Sequence, residues 1–347
     1  MKRVQKLNTP IHFRSFAAVG GYEESRGRLK DKFDLCDSTD LFGQKTAELA
    51  EGEMAKCALN LALQKGSLSH EDIGLITAGD LQNQCVATSL GLSSFRIPFL
   101  GIYGACSTCT EGILLMSEFL CGGYCDNAAS VTSSHNSAAE RQFRTPLEYG
   151  AQRAPGAQWT ATAAGAFILS RGFPKEKERS AFVSEIMPGK IIDGVIKDGA
   201  NMGGAMAFAA ADSIISYFEE SEASPSEFDY IITGDLGRVG SDILREILKE
   251  KLPAAAMRHT DCGLLLYDED IQDVHSGASG CGTSASVLAA HFLPLLEDGS
   301  IKNILFLSTG ALMSPSSVLQ GESIKGIAPL IRIQSRETTP AKNYFKL

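Results

Sequence analysis

One cysteine in this chain has the surroundings of a reactive or an anion-binding residue. Cys106 lies among small residues, in the segment 104–108, directly before an apolar stretch that predicts a helix ending near Gly122. A helix N-terminus has unpaired N–H groups and a positive dipole end, which lower the pKa of a cysteine there and make it a nucleophile. The same position binds an anion without covalent chemistry. Small neighbours such as Ser107 let a ligand approach the backbone, although a cysteine in such a place is also commonly a packing residue.

The elements that carry Cys106 occur twice in the chain. In each half a helical pattern and a polar linker lead to a short apolar strand, which ends in Gly-Asp-Leu at Asp80 and again at Asp235. The cysteine segment has a counterpart too, since 175 residues separate Cys106 from Cys281. Alternating strands and helices predict α/β architecture with mainly parallel pairing. Matched features in the same order favour a duplication over two unrelated α/β domains that share common loop sequences.

A duplicated α/β unit with a cysteine at a strand-to-helix turn resembles the thiolase-like fold, a layered αβαβα arrangement of two related halves. The resemblance implies an N-terminal half over residues 1–172, which carries the Cys106 segment, and a C-terminal half over residues 173–347. A homodimer is expected from the relatives of this fold alone.

Composition and charge argue against several classes of partner. The 347 residues are 44% hydrophobic and 21% charged, as in a soluble protein of about two domains. The formal net charge is −9 and the basic residues form no run, which argues against nucleic acid and against electrostatic docking on an anionic membrane. No stretch reaches the ~20 apolar residues of a spanning helix, and the N-terminal residues lack the apolar segment of a signal peptide. Nine cysteines without a signal indicate reduced thiols in a cytosolic compartment.

The Cys106 segment also resembles the nucleophile elbow of ketoacyl synthases, but the rest of their catalytic set is missing. Condensing enzymes need histidine and asparagine side chains from the second half to accept the thiol proton and to hold the carbonyl oxygen. The corresponding positions here are Gly234 and Asp235 in one loop and Gly282 in the other. His275 precedes the second loop and is expected to be a surface or structural residue. We therefore expect an elbow that binds a ligand, without thiolase or ketoacyl synthase activity.

Longer segments give a more specific resemblance. They are AGDLQNQ at 78–84, GACST at 104–108, SSHNSAAERQFRTPLEYG at 133–150, ITGDLG at 232–237, DCG at 261–263, LMSPS at 312–316 and QGES at 320–323. Together they span roughly residues 15 to 335 and resemble the stage V sporulation protein AD family. The resemblance implies a non-catalytic protein that binds dipicolinic acid, free or as its calcium chelate, and supports its uptake into the developing spore.

The same resemblance implies partners and a location. The partners are dipicolinic acid and membrane proteins of the same sporulation operon. The expected location is the cytoplasmic side, peripherally associated with the inner spore membrane through those partners. No cofactor is implied other than calcium accompanying the dipicolinate.

Dipicolinic acid is a flat pyridine with two carboxylates, so its pocket needs positive potential, N–H donors and a flat apolar slot. The predicted ligand-binding residues are Cys106, Ser107, Asp80, Ser133, Ser134, His135, Asn136, Arg144 and Asp235. Positive charge is expected from Arg141, Arg144 and Arg153. The slot is expected from Phe143, Tyr149 and Trp159.

Other interpretations stay open for these residues. Two of the arginines are also placed to pair with Glu140 and Glu148 on the surface, and a single tryptophan is commonly a core anchor. An acyl-transfer enzyme would use Cys106 as its nucleophile, with Asp80, Asp235 or His135 in support.

A metal site is the remaining alternative, because two pairs of cysteines have ligand-like spacing. Cys106 and Cys109 form one pair, and Cys121 and Cys125 form the other. The first pair begins the predicted helix and the second ends it, so roughly 18 Å of helical rise separates them. That distance is too long for a single zinc ion, and we expect no metal site here.

Overall fold

The protein has a mixed α/β fold, as the alternation of strands and helices predicts. A computed structural model describes residues 2–143, 153–174 and 179–337. Three residues named in the sequence predictions, Arg144, Glu148 and Tyr149, lie outside the described residues.

Sixteen strands and eleven helices are assigned within these ranges. The strands are β1 Gln5–Gly20, β2 Leu35–Cys36, β3 Leu75–Gly79, β4 Phe99–Gly101, β5 Asn127–Ser134, β6 Trp159–Thr160, β7 Ala163–Arg171, β8 Arg179–Met187, β9 Ile192–Asp193, β10 Tyr230–Thr233, β11 His259–Asp261, β12 Ala278–Ser279, β13 Asn303–Leu307, β14 Gly310–Leu312, β15 Lys325–Ile327 and β16 Leu330–Glu337. The helices are α1 Ala47–Lys65, α2 Val86–Leu92, α3 Thr108–Cys121, α4 Asn136–Phe143, α5 Met202–Glu220, α6 Gly237–Lys251, α7 Pro253–Arg258, α8 Cys262–Leu265, α9 Cys281–Val287, α10 Leu293–Asp298 and α11 Pro315–Leu319. A π-helical turn over Leu288–Phe292 joins α9 to α10.

The duplication is visible in the order of the strands. The main sheet runs β11-β10-β13-β16-β8-β1-β7-β5-β3-β4, with β2 paired to β1. From the central β8–β1 pair outward, each first-half strand has a second-half strand in the matching position. The boundary between residues 172 and 173 stays a prediction, but the repeated unit that motivated it is present.

Strand pairing is mixed, so the expectation of mainly parallel pairing is wrong. β3 pairs parallel with β4 and β5, and β10 pairs parallel with β11 and β13. The five pairs at the centre of the sheet, from β5–β7 through β1–β8 to β16–β13, are antiparallel. Parallel neighbours require a crossover such as α2 between β3 and β4, whereas the long central strands return beside their neighbours without one. Alternation of elements along the sequence does not distinguish these two arrangements.

Three hydrophobic cores separate the layers. The first packs Met54 and Leu59 of α1 against one face of the first-half strands. The second contains Ile113 of α3 together with the α9–α10 segment, between the strands of the two halves. The third packs Ile214 of α5 and Leu244 of α6 onto the second-half strands. The order helix, strand, helix, strand, helix confirms the layered αβαβα arrangement.

Candidate ligand-binding site

The elbow around Cys106 is a tight and strained turn. Ala105 has a left-handed φ of 52°, which is uncommon for a residue with a side chain, and a single helical turn over Ala105–Ser107 leads into α3. The buried Ser107 hydroxyl lies 2.6 Å from the Gly104 carbonyl and 2.6 Å from Glu111 Oε1, so its contacts stabilise the turn. The turn leaves Cys106 only 6% exposed, on the wall of a small cavity.

The second half places a carboxylate against this cysteine. Asp235 follows β10 and is fully buried, and its carboxylate is near enough to the Cys106 thiol to act on it electrostatically. The N–H of Gly280 donates to Asp235 Oδ2 at 2.8 Å and the hydroxyl of Thr309 donates to Oδ1 at 2.9 Å. Burial raises the pKa of Asp235 to about 6. Burial, and then the neighbouring Asp235, raise the pKa of the Cys106 thiol well above its usual range. Burial therefore outweighs the effect by which a helix start lowers the pKa of a cysteine.

The two elbows of the duplicated halves meet behind Cys106. Cys281 Sγ donates to the carbonyl of Ser133 at 3.0 Å, and both residues are fully buried. Ser134 Oγ donates to the carbonyl of Ala161 at 2.7 Å and accepts from the N–H of Gly282 at 3.2 Å. Ser133 and Ser134 therefore lie close to the elbow, as predicted, but their side chains already have partners inside the protein.

Asp80, which matches Asp235 by duplication, is hydrogen-bonded to the start of α2. It accepts hydrogen bonds of 2.8 Å from the N–H and the hydroxyl of Thr88 and from the N–H of Gln82. Glu51 lies close by and accepts from Gln82 Nε2 at 2.7 Å and from the Ser133 hydroxyl at 3.1 Å. Burial and the charge of Asp80 raise the pKa of Glu51 to about 8. This polar network supports the elbow from behind.

The residues that follow β5 point in two directions. The buried His135 ring is 2.9 Å from the carbonyl of Asp40 through Nε2, and burial lowers its pKa, so the ring is neutral. Asn136 is half-buried at the start of α4, and its side-chain amide donates to the carbonyl of Thr160 at 3.1 Å. Phe143, at the end of α4, packs against Cys106 and Cys281. Asn136 is thus the member of this segment that faces a large cavity.

Two cavities adjoin at Glu140. The inner cavity has a volume of about 30 Å³ and is lined by Cys106, Phe143 and apolar side chains such as Met202. The outer cavity has a volume of about 710 Å³ and is lined by Trp159 and Asn136 among other residues. The inner cavity holds about one water molecule, whereas the outer one has the size of a small-molecule site.

The outer cavity combines an aromatic wall with positive charge. The guanidinium of Arg153 lies 4.9 Å from the centre of the Trp159 ring, and its Nη2 donates to the carbonyl of Asp273 and lies 3.5 Å from Oδ2 of the same residue. Arg153 Nη1 is buried and has no hydrogen-bond partner among the described residues. Arg141 pairs with Glu48 at 2.7 Å, and Lys45 adds a third basic side chain to the lining. Arg153 and Trp159 therefore share one surface, whereas Phe143, predicted for the same slot, lines the inner cavity, and the slot stays a prediction.

The start of α1 completes this cavity and was missed by sequence analysis. Thr46 caps the helix by accepting from the N–H of Leu49 at 3.3 Å, so the first N–H groups of a 19-residue helix lie beside Lys45 and Ala47 on the cavity wall. A threonine before a helical pattern was the available signal for a cap. Nothing local to residues 45–48 shows that this helix start faces Trp159.

Within residues 2–143, 153–174 and 179–337, no group of three or more His, Cys, Asp or Glu side chains could hold a metal ion. In the same ranges no helix is long and apolar enough to cross a membrane.

Comparisons with known proteins agree with these features. Residues 1–334 match the family model for stage V sporulation protein AD. The stage V sporulation protein AD of Bacillus subtilis (strain 168) is 41% identical over 327 residues, which cover 94% of this chain and 95% of that protein.

Solved structures share the fold at low sequence identity. OleA of Xanthomonas campestris with cerulenin bound is 14% identical with a TM-score of 0.60, and the match covers 94% of this chain and 100% of OleA. The 3-oxoacyl-[acyl-carrier-protein] synthase III of Aquifex aeolicus VF5 is 14% identical with a TM-score of 0.56, and the match covers 92% of this chain and 99% of the synthase. These similarities confirm the thiolase-like fold and say nothing of shared chemistry.

Proposed function

The chain belongs to the stage V sporulation protein AD family, and from this premise we propose that it is a non-catalytic protein that binds dipicolinic acid and supports its uptake into the developing spore. Its family makes it a sporulation protein; the ligand, the absence of catalysis and the uptake are our proposal. The observation that carries it is the outer cavity, where the Trp159 wall, three basic side chains and a helix start converge.

Size and shape support a flat aromatic ligand in this cavity. Small-molecule sites commonly have volumes of ~300–1,000 Å³, and about 710 Å³ lies within that range. In the proposal the pyridine ring lies against Trp159, with its inner edge towards the small cavity whose wall contains Cys106. The ring itself is too large for that inner cavity of about 30 Å³.

Charge supports a dianion. A carboxylate near Arg153 would satisfy the buried Nη1, which has no other hydrogen-bond acceptor among the residues described. The second carboxylate would lie towards Lys45 and the N–H groups at the start of α1, where anions are favoured. Arg144, which was also predicted to contact the ligand, lies outside the described residues.

The remaining predicted site residues have a supporting role in this proposal. Ser107, Asp80, Ser133, Ser134 and His135 are buried and hydrogen-bonded within the protein. They hold the elbow and the start of α4 in place, while Asn136 reaches the ligand.

Absence of catalysis is supported by the elbow itself. The second-half loops near Cys106 carry Asp235, a carboxylate, and Gly282 in place of the histidine and asparagine that condensing chemistry uses. Asp235 raises the pKa of the thiol further, so the nucleophilic thiolate is disfavoured. An acyl-transfer function with Cys106 as nucleophile remains the second candidate, because the cysteine keeps its place at a strained elbow on a cavity wall.

The proposal extends to partners. Membrane proteins of the same operon would hold the protein at the cytoplasmic side of the inner spore membrane. A second copy of the chain would pair at β4, which ends the main sheet and exposes Phe99 and Leu100. Analytical ultracentrifugation tests the homodimer, since Leu100→Lys at that edge should yield a monomer.

The experiment for the central proposal is calorimetric titration with dipicolinate, with and without calcium. We expect saturable binding at moderate salt, and weaker binding of benzoate because it lacks one carboxylate and the ring nitrogen. Tighter binding in calcium would identify the chelate as the preferred ligand. Titration that gives neither heat nor a thermal shift under any of these conditions would remove the proposal.

A further inference from the structure

The inner and outer cavities share a boundary. Glu140 lines both of them, and Thr160 Oγ1 donates to Glu140 Oε1 at 3.0 Å at this junction. Trp159 lines the outer cavity, whereas Thr160, the next residue of β6, lines the inner one. At the start of α5, Ala200 lines the outer cavity and Met202 lines the inner one. A ligand that lies against Trp159 therefore has one edge at the entrance of the inner cavity.

The chemistry of dipicolinate decides which edge of the ring that is. Its two carboxylates flank the ring nitrogen, so both lie on the same side of the ring. In the proposed binding mode they lie towards Arg153 and Lys45, which line the outer cavity. The opposite edge of the ring, centred on the carbon para to the nitrogen, then faces the inner cavity.

We infer that the inner cavity is a specificity subsite of the ligand site, which admits hydrogen or one small apolar substituent on the para carbon and excludes larger or charged ones. The inference rests on the proposed binding of dipicolinate and adds the part of the ring that the inner cavity contacts. It assigns Met202 and Met313 as the residues that set the size limit.

Size sets the first limit. The inner cavity of about 30 Å³ has room for one small group, whereas a cavity that holds a benzene ring has roughly 150 Å³. Met202 and Met313 line the inner cavity and also pack against the third hydrophobic core, which contains residues of α5 and α6. A side-chain carbon placed on Gly199 would lie 3.6 Å from Met313 Cε, so Met313 fills the space up to the loop before α5. Shortening either methionine should therefore enlarge the subsite.

Charge sets the second limit. The described residues that line the inner cavity include apolar side chains such as Leu81 and Phe143, and they include no lysine, arginine or histidine. A third carboxylate on the ring would enter this cavity without a cationic partner and beside the acidic Glu140, which is unfavourable. A chlorine atom needs no polar partner and would bury apolar surface there.

Calorimetry with dipicolinates substituted at the para carbon, position 4 of the ring, tests the subsite. Relative to dipicolinate at the same salt concentration and without calcium, the 4-chloro compound should bind about two- to fivefold more tightly. The 4-phenyl compound should bind about 10- to 100-fold more weakly, because its second ring overfills the cavity. Pyridine-2,4,6-tricarboxylate should bind at least about 100-fold more weakly because of its added charge.

Met313→Ala should change this order, because it removes the side chain that limits the depth of the subsite. The measured quantity is the Kd of 4-phenyl dipicolinate divided by that of dipicolinate, and this ratio should fall by at least about tenfold. Met202→Ala should lower the ratio too, and it replaces Met313→Ala if that variant does not fold. Met257→Ala is the matched control, because Met257 on α7 is 83% exposed and lines neither cavity, so its ratio should equal that of the wild type.

Ala311→Val makes the opposite change, since its added methyl groups occupy the inner cavity, and it should abolish the preference for the 4-chloro compound. The inference fails if the wild type binds the 4-phenyl compound or the tricarboxylate as tightly as dipicolinate. It fails as well if Met313→Ala and Met257→Ala give the same Kd ratio. In each of these cases dipicolinate still binds and the proposed function stands. A protein that binds none of the compounds would lose both the proposed function and the subsite.

Discussion

The two cavities that adjoin at Glu140 differ in the properties that decide ligand binding. The inner one has an elbow cysteine, apolar walls and a buried carboxylate behind the thiol, in a volume of about 30 Å³. The outer one has an aromatic ring stacked with Arg153, in a volume of about 710 Å³. The comparison shows which cavity suits the proposed ligand, because the inner one is too small for a pyridine ring whereas the outer one has room for it and is lined by basic side chains.

The largest expected effect is the change with pH in the free energy of unfolding, which the buried carboxylates cause. Burial raises the pKa of Glu51 to about 8 and those of Glu24 and Asp261 to about 7, so the folded state holds protons that the unfolded state releases near pH 4–5. Stability from such groups is present below the unfolded pKa and is lost as pH rises through the folded pKa. The free energy of unfolding should therefore fall by on the order of a few kcal/mol between pH 5 and pH 8.5.

Urea unfolding across this pH range measures that effect. Glu51→Gln removes the group with the highest of these pKa values and should make the pH dependence shallower. A wild-type free energy of unfolding that stays flat or rises with pH would show that burial does not raise the pKa values of Glu24, Glu51 and Asp261.

Arg153→Ala should cause the largest loss in dipicolinate binding. It removes a charge-assisted hydrogen-bond donor from the outer cavity, which is worth roughly 1.5–3 kcal/mol, or about 10- to 100-fold in Kd by calorimetry. Arg26→Ala is the matched control, because Arg26 also stacks on an aromatic ring, Tyr22, and also pairs with an acidic residue, Glu23. Equal losses in both variants would place the ligand outside the cavity.

Trp159→Leu should weaken dipicolinate binding by roughly tenfold, because a smaller apolar side chain replaces the indole and ring stacking is lost. Trp159→Phe should recover part of that affinity. The two Kd values, measured at one salt concentration, separate stacking from volume. Identical binding by Trp159→Leu and the wild type would contradict an aromatic wall at residue 159.

Cys106→Ala should have the smallest effect on binding, about two- to threefold in Kd, because the thiol lies at the inner edge of the proposed ligand position. Cys57→Ala should leave binding unchanged and alter only stability. A loss through Cys106→Ala as large as that through Arg153→Ala would move the ligand to the inner cavity.

Sequence analysis reached the architecture and part of the site for identifiable reasons. The recurrence of the Cys106 segment at Cys281 and of Gly-Asp-Leu at Asp80 and Asp235 reports the duplication directly, and the comparison with condensing-enzyme loops identified Asp235 as a residue near the cysteine. Arg153 and Trp159 were predicted for their charge and ring, which the ligand implied by the family resemblance requires, and the structure brings the two side chains together. Mixed strand pairing was missed because antiparallel central strands leave no signal in the alternation of elements.

Burial and cavity walls were harder to predict. Ser133 and Ser134 lie at the end of β5 beside the elbow, as expected, yet their hydroxyls are bonded to Glu51 and Ala161. Lys45 and Thr46 line the outer cavity through a contact between segments about a hundred residues apart, which local patterns do not encode. Whether each predicted residue contacts the ligand stays a prediction.

Fluorescence of Trp159 tests the central claim most directly, because it is the only tryptophan in the chain. With excitation at the red edge of its absorption, titration with dipicolinate should change its emission and saturate at the Kd obtained by calorimetry. The change should be lost together with binding in Arg153→Ala. Calorimetric binding with unchanged tryptophan emission would contradict the account, because the ligand would then lie away from the outer cavity.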